Sequence, residues 1–286
     1  MNWRTFRSRI LLVGVAFPVL GCLILVLPHL HHLGFNLVVT AAAVLGGFET
    51  SLLFQSRKVP TARVLAPILA AALPAAAWLE VAGILPQSLE VLVFPVAFGV
   101  ILVRSILFQR KAGVKGILAF ASSSVFAFLY PGFFLAYIVR LSGLPDPSLS
   151  ILFFLCLVFG NDMAAYFAGS LWGKSTRLNL PVSPQKSAVG FIAGIVGSFI
   201  ILGIFLLAVP GFLTFGIAAK ILLTLAMGIA VILGDLIESG LKRAAGVKDS
   251  GIVIPARGGM LDSVDSMILS APLFYYFFTL AARWAS

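Results

Sequence analysis

Charge is what this sequence has least of. Only 10% of its 286 residues are Asp, Glu, Lys or Arg, against about 25% in an ordinary soluble domain. That shortage excludes a typical water-soluble globular protein. Acid is the scarcer sign, with ten carboxylates against twenty Lys and Arg and a net charge of +10. On a soluble chain such a balance would point to nucleic acid. Here the cations flank apolar runs, so no nucleic-acid partner is expected, and the charge reads as orientation in a bilayer and contact with anionic head groups. Cysteine is nearly absent: Cys22 and Cys156 both lie in apolar runs, which excludes a disulfide framework and a Cys-x-x-Cys metal or redox site. The three histidines, His29, His31 and His32, have no carboxylate close by in sequence and read as interfacial residues before metal ligands. Internal repeats and low-complexity tails are also missing.

What is present is apolar length, with 60% of the residues hydrophobic. A spanning helix needs about 20 mostly apolar residues. Nine stretches qualify as candidates: 10–28, 35–54, 64–83, 88–108, 116–140, 149–170, 188–209, 215–238 and 266–282. The expected fold is therefore all-α, a polytopic membrane protein of about nine helices. The third and fourth candidates are interrupted by Pro67, Pro74, Glu80 and Pro86, and a re-entrant segment is an alternative there. Arg4, Arg7 and Arg9 precede the first run without a small-x-small cleavage site after it, so that run is expected to be retained. With nine spans, seventeen of the twenty cations fall on one side and only Arg140, Lys220 and Arg283 on the other. The positive-inside rule then puts the N-terminus in the cytoplasm and the C-terminus outside, in the inner (cytoplasmic) membrane of the cell. Two regions are expected: N-terminal helices over 1–148, and a catalytic region over 149–286 with cytoplasmic loops at 171–187 and 239–265.

Half of the ten acids lie between Gly234 and Asp265. Scarce charge gathered near hydrocarbon is costly and marks function by default. If the eighth span stays helical past its apolar end, Asp235, Glu238, Ser239 and Lys242 share one face. Asp262 and Asp265 share another if the last helix starts near Leu261. Two acidic faces at the ends of adjacent helices suit a hard cation such as Mg²⁺, which takes one or two carboxylates plus phosphates and water. Between them come Lys248, Asp249, Ser250 and Gly251, then Pro255, Arg257, Gly258 and Gly259. The glycines allow tight turns and close approach of amides to a phosphate; the cations would neutralise its charge. A solvated cytoplasmic loop is the plainer alternative, but it gives no reason for acids inside the ends of apolar helices. The other loop carries Asp162 near the end of the sixth span, then Ser183 and Lys186. Gly173-Lys174-Ser175 has P-loop spacing, but a P-loop needs a preceding strand and an α/β domain, and a membrane helix stands there. Glu49 and Glu80 lie within or at the edge of spans, where function and pairing with a neighbouring helix are equally good readings. Gly190, Gly194 and Ser198 form a small-residue face for close helix packing.

The run Gly234-Asp235-Leu236-Ile237-Glu238-Ser239-Gly240-Leu241-Lys242-Arg243, with Lys248-Asp249-Ser250-Gly251, Pro255, Gly258-Gly259 and Asp262-x-x-Asp265, resembles the signature of the phosphatidate cytidylyltransferases, or CDP-diacylglycerol synthases. The stretch Asp162 to Gly190, with Gly173-Lys174, Ser183-Pro184-x-Lys186-Ser187, looks like that family's other motif. The resemblance covers roughly 155–275. Departures are Arg257 where the family usually has His, Ser263 for Arg, Val189 for Glu and Ser170 for Arg. The resemblance implies conversion of CTP and phosphatidic acid into CDP-diacylglycerol and pyrophosphate. It implies catalytic roles for Asp235, Asp262, Asp265, Lys248 and Asp249, with Mg²⁺ on Asp235, Asp262, Asp265 and Glu238. A second metal or a monovalent cation is compatible with the same chemistry. Ser183, Lys186, Ser239, Lys242, Arg243, Arg257, Gly258, Gly259 and Asp162 would bind or support the substrates CTP and phosphatidic acid. Bilayer lipids surround the chain, and a homodimer is compatible with the sequence. The alternatives are a CTP-dependent polyprenol or phytol kinase, and a non-catalytic or transporter-like paralogue.

Overall fold

The computed structural model of the chain describes residues 18–86, 89–254 and 258–285. The described residues contain eight α-helices: α1 (His29–Ser56), α2 (Leu65–Val81), α3 (Leu89–Ala112), α4 (Ile117–Arg140), α5 (Pro147–Trp172), α6 (Ala188–Ala208), α7 (Ile217–Ala245) and α8 (Leu261–Ala285). No strand is found among them; isolated bridges at Arg177–Ser187, Leu180–Ser183 and Ile254–Gly258 are the only extended pairings described. Hydrocarbon offers no hydrogen-bond partner, so backbone groups must be satisfied within the helix, and long apolar runs fold accordingly. The chain is an all-α polytopic membrane protein.

Six helices among the described residues are long and apolar enough to cross a membrane: α1, α4, α5, α6, α7 and α8, counting short 3₁₀ turns that extend α4 and α5. α2 and the apolar part of α3, Val91–Leu107, are shorter. The 17 residues of α2 reach about 25 Å, less than a hydrocarbon core of ~30 Å. Residues 10–17 of the first candidate span, and Arg4, Arg7, Arg9 and Arg257, lie outside the described residues. The loops are shorter than the sequence suggests: α7 continues to Ala245 and α8 begins at Leu261, leaving 246–260 between them, and α5 continues to Trp172.

The chain divides into two compact units, one of residues 1–143 with 241–264, the other of 144–240 with 265–286. In the first, small residues let backbones touch. A Cβ on Gly132 would lie 2.7 Å from the Ala70 carbonyl oxygen, and one on Gly47 3.0 Å from Pro67 Cα. Glu80 on α2 pairs with Arg140 on α4 at 3.0 Å, so this acid has the structural role that the sequence left open.

In the second unit, α6 shows how one sequence stripe packs and the other faces outward. Ile192, Val196, Ile200 and Ile204, four apart, are at least half exposed, as lipid-facing residues should be. The opposite stripe packs on α5: a Cβ on Gly197 would meet Ala164 Cβ at 2.6 Å, and one on Gly190 the Ala165 carbonyl oxygen at 3.2 Å. The small-residue face thus serves close packing as its spacing suggests. Buried Asn161 on α5 donates to Ser198 Oγ on α6 at 3.1 Å and to the Gly228 carbonyl on α7 at 3.3 Å. It fits because Gly194 and Gly228 lack side chains; a Cβ on Gly194 would come within 2.6 Å of its Oδ1. Below it, Phe153 contacts Phe205 and Phe274, with centroids 4.8 and 5.9 Å apart.

Candidate active site

The second unit holds one cluster of functional side chains, organised by a helix crossing. A Cβ on Gly234 of α7 would stand 2.6 Å from the Asp265 carbonyl oxygen and 3.3 Å from Ser266 Cα on α8. Only glycine permits that approach, and it sets the crossing beside Asp235 and Asp265. Asp235 forms an ion pair with Lys186. Lys186 is held by a small hairpin after α5: its carbonyl accepts from Leu178 N at 2.9 Å and its amide donates to the Ser183 carbonyl at 3.2 Å. Ser187 then caps α6 by accepting from Gly190 N. Ser266 ties two acids to the crossing. Its amide donates to Asp265 Oδ1 at 2.6 Å, and its hydroxyl donates to Asp162 Oδ1 at 3.3 Å. The structure therefore gathers Asp162, Lys186, Asp235 and Asp265 around the Gly234 crossing. Glu238, one turn along α7, is fully buried.

The first unit holds the loop between α7 and α8, built on two carboxylates. Asp262 Oδ1 pairs with Lys242 Nζ, and both side chains are largely buried. Its Oδ2 accepts from Ser250 N at 2.8 Å, Ser250 Oγ at 2.9 Å and Gly259 N at 2.7 Å. The amide of Gly258 is used too, donating to the Ile254 carbonyl at 3.0 Å. Gly258 has φ +111, a backbone that disfavours any side chain, and a Cβ there would lie 2.6 Å from Asp262 Oδ2. The amides of both glycines are thus engaged within the chain. Arg243 donates to the Val247 carbonyl at 3.1 Å. Lys248 and Asp249 are exposed at the loop surface, and Ser239 lies on α7.

The second carboxylate of the loop is Glu49 on α1, which accepts from Met260 N and Leu261 N and whose Oε2 lies 2.9 Å from Ser250 Oγ, a hydroxyl whose single proton it shares with Asp262. Sequence reading singled it out as an acid in an apolar run but gave it no partner. Ser250 and Ser266 were not singled out for a role either; a serine in a motif carries no signal for which carboxylate it will meet.

No group of three or more His, Cys, Asp or Glu side chains among the described residues forms a ready-made cage. Mg²⁺ takes few protein ligands and keeps water and phosphate oxygens. The oxygen-only set at Asp235 and Asp265 is of the right hardness, and the Lys186 ammonium already supplies a positive charge beside Asp235.

The chain is similar in sequence to several curated proteins. A phosphatidate cytidylyltransferase of Synechocystis sp. is 44% identical over 133 residues, 46% of this chain and 43% of the relative. One from Bacillus subtilis is 36% identical over 155 residues, 54% of this chain and 56% of the relative. An uncharacterized protein, YnbB, of Escherichia coli is 40% identical over 133 residues, 46% of this chain and 42% of the relative. The chain spans about half the length of the curated relatives it matches. The model of the Cytidylyltransferase family covers far more of it, matching residues 7–281, and the chain belongs to that family.

Proposed function

We propose that the chain is a membrane phosphatidate cytidylyltransferase that makes CDP-diacylglycerol and pyrophosphate from CTP and phosphatidic acid. The observation that carries this reading is the cluster of Lys186, Asp235 and Asp265 at the Gly234 crossing, in a chain of the Cytidylyltransferase family. The lipid phosphate is already an anion and needs no strong base to act as nucleophile. One of its oxygens attacks the α-phosphorus of CTP, the α–β phosphoanhydride bond breaks, and pyrophosphate leaves with the electron pair. The barrier is mainly repulsion between polyanions and charge on the leaving group, which fixed cations and hard metals relieve. Lys186 would bind a phosphate oxygen, releasing Asp235. Asp235 and Asp265 would hold Mg²⁺, whose chemistry is to neutralise phosphate charge. Lys248, exposed on the 246–260 loop, would meet the nucleotide. The test is incubation of purified protein with labelled CTP, Mg²⁺ and phosphatidic acid. A CDP-lipid with pyrophosphate is expected; a lipid phosphate with CDP would identify a kinase instead, and no lipid product would remove the enzymatic reading.

The reading also takes the loop to face the cytoplasm, where CTP is, in line with the cation distribution. Ile252 is 97% exposed. A cysteine there, in a chain without Cys22 and Cys156, should react with an impermeant maleimide only from the cytoplasmic side. Labelling of intact cells from outside would reverse the orientation.

A further inference from the structure

The loop between α7 and α8 is held at both stems by one helix of the N-terminal half. At the C-terminal end of α7, the Ser56 hydroxyl donates to the Ala245 carbonyl at 2.8 Å and Arg57 Nε to the Ala244 carbonyl at 2.7 Å. These are carbonyls that a helix end leaves without intrahelical partners, and a cation suits the negative end of the dipole. At the N-terminal end of α8, Glu49 Oε1 accepts from Met260 N at 2.7 Å and Oε2 from Leu261 N at 2.9 Å. An anion suits that end for the converse reason. Ser250 Oγ, 2.9 Å from Glu49 Oε2 and from Asp262 Oδ2, bridges the two carboxylates. The loop glycines follow from this arrangement: a Cβ on Gly251 would stand 2.7 Å from Glu49 Oε1, and one on Gly259 would collide with Glu49 Oε2 and Ser250 Oγ. Glu49 is 1% exposed in an apolar helix that ends at Ser56, and a buried acid is costly unless its oxygens are filled.

We propose that Glu49 is a positioning residue of the nucleotidyl-transfer reaction. It touches no substrate. It fixes Ser250, Met260 and Leu261, and through Ser250 it fixes Asp262 and its partner Lys242, so that these residues are in place before CTP arrives. The N-terminal half thereby orders a loop of the signature stretch through a residue that the stretch does not contain. This inference rests on the cytidylyltransferase reading for its catalytic half only.

The test is Glu49→Gln, which keeps the shape but turns an NH₂ group toward amides that also donate. Hydrogen exchange of the full-length protein in detergent is followed peptide by peptide, together with CDP-lipid formation. Exchange across 248–262 is expected to quicken about tenfold or more, while peptides of α4 and α6 keep the wild-type rate. The kcat is expected to fall by about tenfold to a hundredfold, the range that a small misplacement of catalytic groups produces, and the KM for phosphatidic acid to stay within about twofold. Glu49→Asp, one methylene shorter, should show the same local loosening. Unchanged exchange in the loop would overturn the proposal. So would exchange that quickens everywhere, since that would make Glu49 a general folding residue. A wild-type chain that makes no CDP-lipid would instead overturn the proposed function, while the exchange result would still report whether Glu49 orders the loop.

Discussion

Asp265→Asn should reduce CDP-lipid formation by about 10³-fold while leaving a folded, detergent-stable protein. The carboxamide keeps an oxygen that can still accept from Ser266 N, the contact that Asp265 Oδ1 makes at 2.6 Å, so the local turn of α8 should survive. What is lost is a full negative charge beside the Gly234 crossing. A single preorganised electrostatic contact in a transferase site is worth about 10²–10³ in rate, and a metal ligand commonly more. Activity measured against Mg²⁺ concentration separates the effects. A lost ligand should leave residual activity that rises with excess Mg²⁺, and melting should move by a few degrees at most. Near-normal activity in the variant would remove Asp265 from the metal set. Asp235→Asn differs, because it also leaves Lys186 without its ion-pair partner.

Gly234→Val should abolish activity and destabilise the protein by about 1–3 kcal/mol, the usual cost of overpacking a close contact. The added Cβ would stand 2.6 Å from a backbone oxygen of α8, which cannot rotate out of the way as a side chain could. The helices must part, and the part that moves carries Asp235 and Asp265. Gly203→Ala is the control. It lies in α6 with nothing within 4 Å of its would-be Cβ, and replacing a mid-helix glycine by alanine should stabilise by about 0.5–1 kcal/mol. Thermal melting and CDP-lipid assays on the pair would decide. If Gly234→Val were as active and stable as wild type, the crossing would not be what sets the site.

Much of this was legible in the sequence, for physical reasons. A bilayer leaves few options to a 20-residue apolar run, so the bounds of α4, α5 and α6 could be placed within two residues from hydropathy. Their helical class follows because no other backbone satisfies itself in hydrocarbon. The concentration of acids between Gly234 and Asp265 marked the site, and the face shared by Asp235, Glu238 and Lys242 needed only the continuation of α7 to Ala245. The polar ends of α7 and α8, which run on to Ala245 and start from Leu261, were less legible, because charge hides them from hydropathy. Pro74 sits inside α2 without ending it, because packing on α4 outweighs propensity.

The tertiary structure decided the partners. Lys186 and Asp235 are 49 residues apart, and no periodicity joins them; the hairpin after α5 does. Glu49 meets Ser250 across 201 residues. Its sequence neighbourhood gives only the anomaly of an acid among apolar residues, which Glu80 shares. One acid is filled by the Arg140 guanidinium and the other by a serine and two helix-end amides. Which residues are too costly to leave bare in a membrane follows from the sequence by itself. The fold determined what fills them, because a carboxylate's demand for donors is a property of the residue, while the supply of donors depends on which chain segments the packing brings to it.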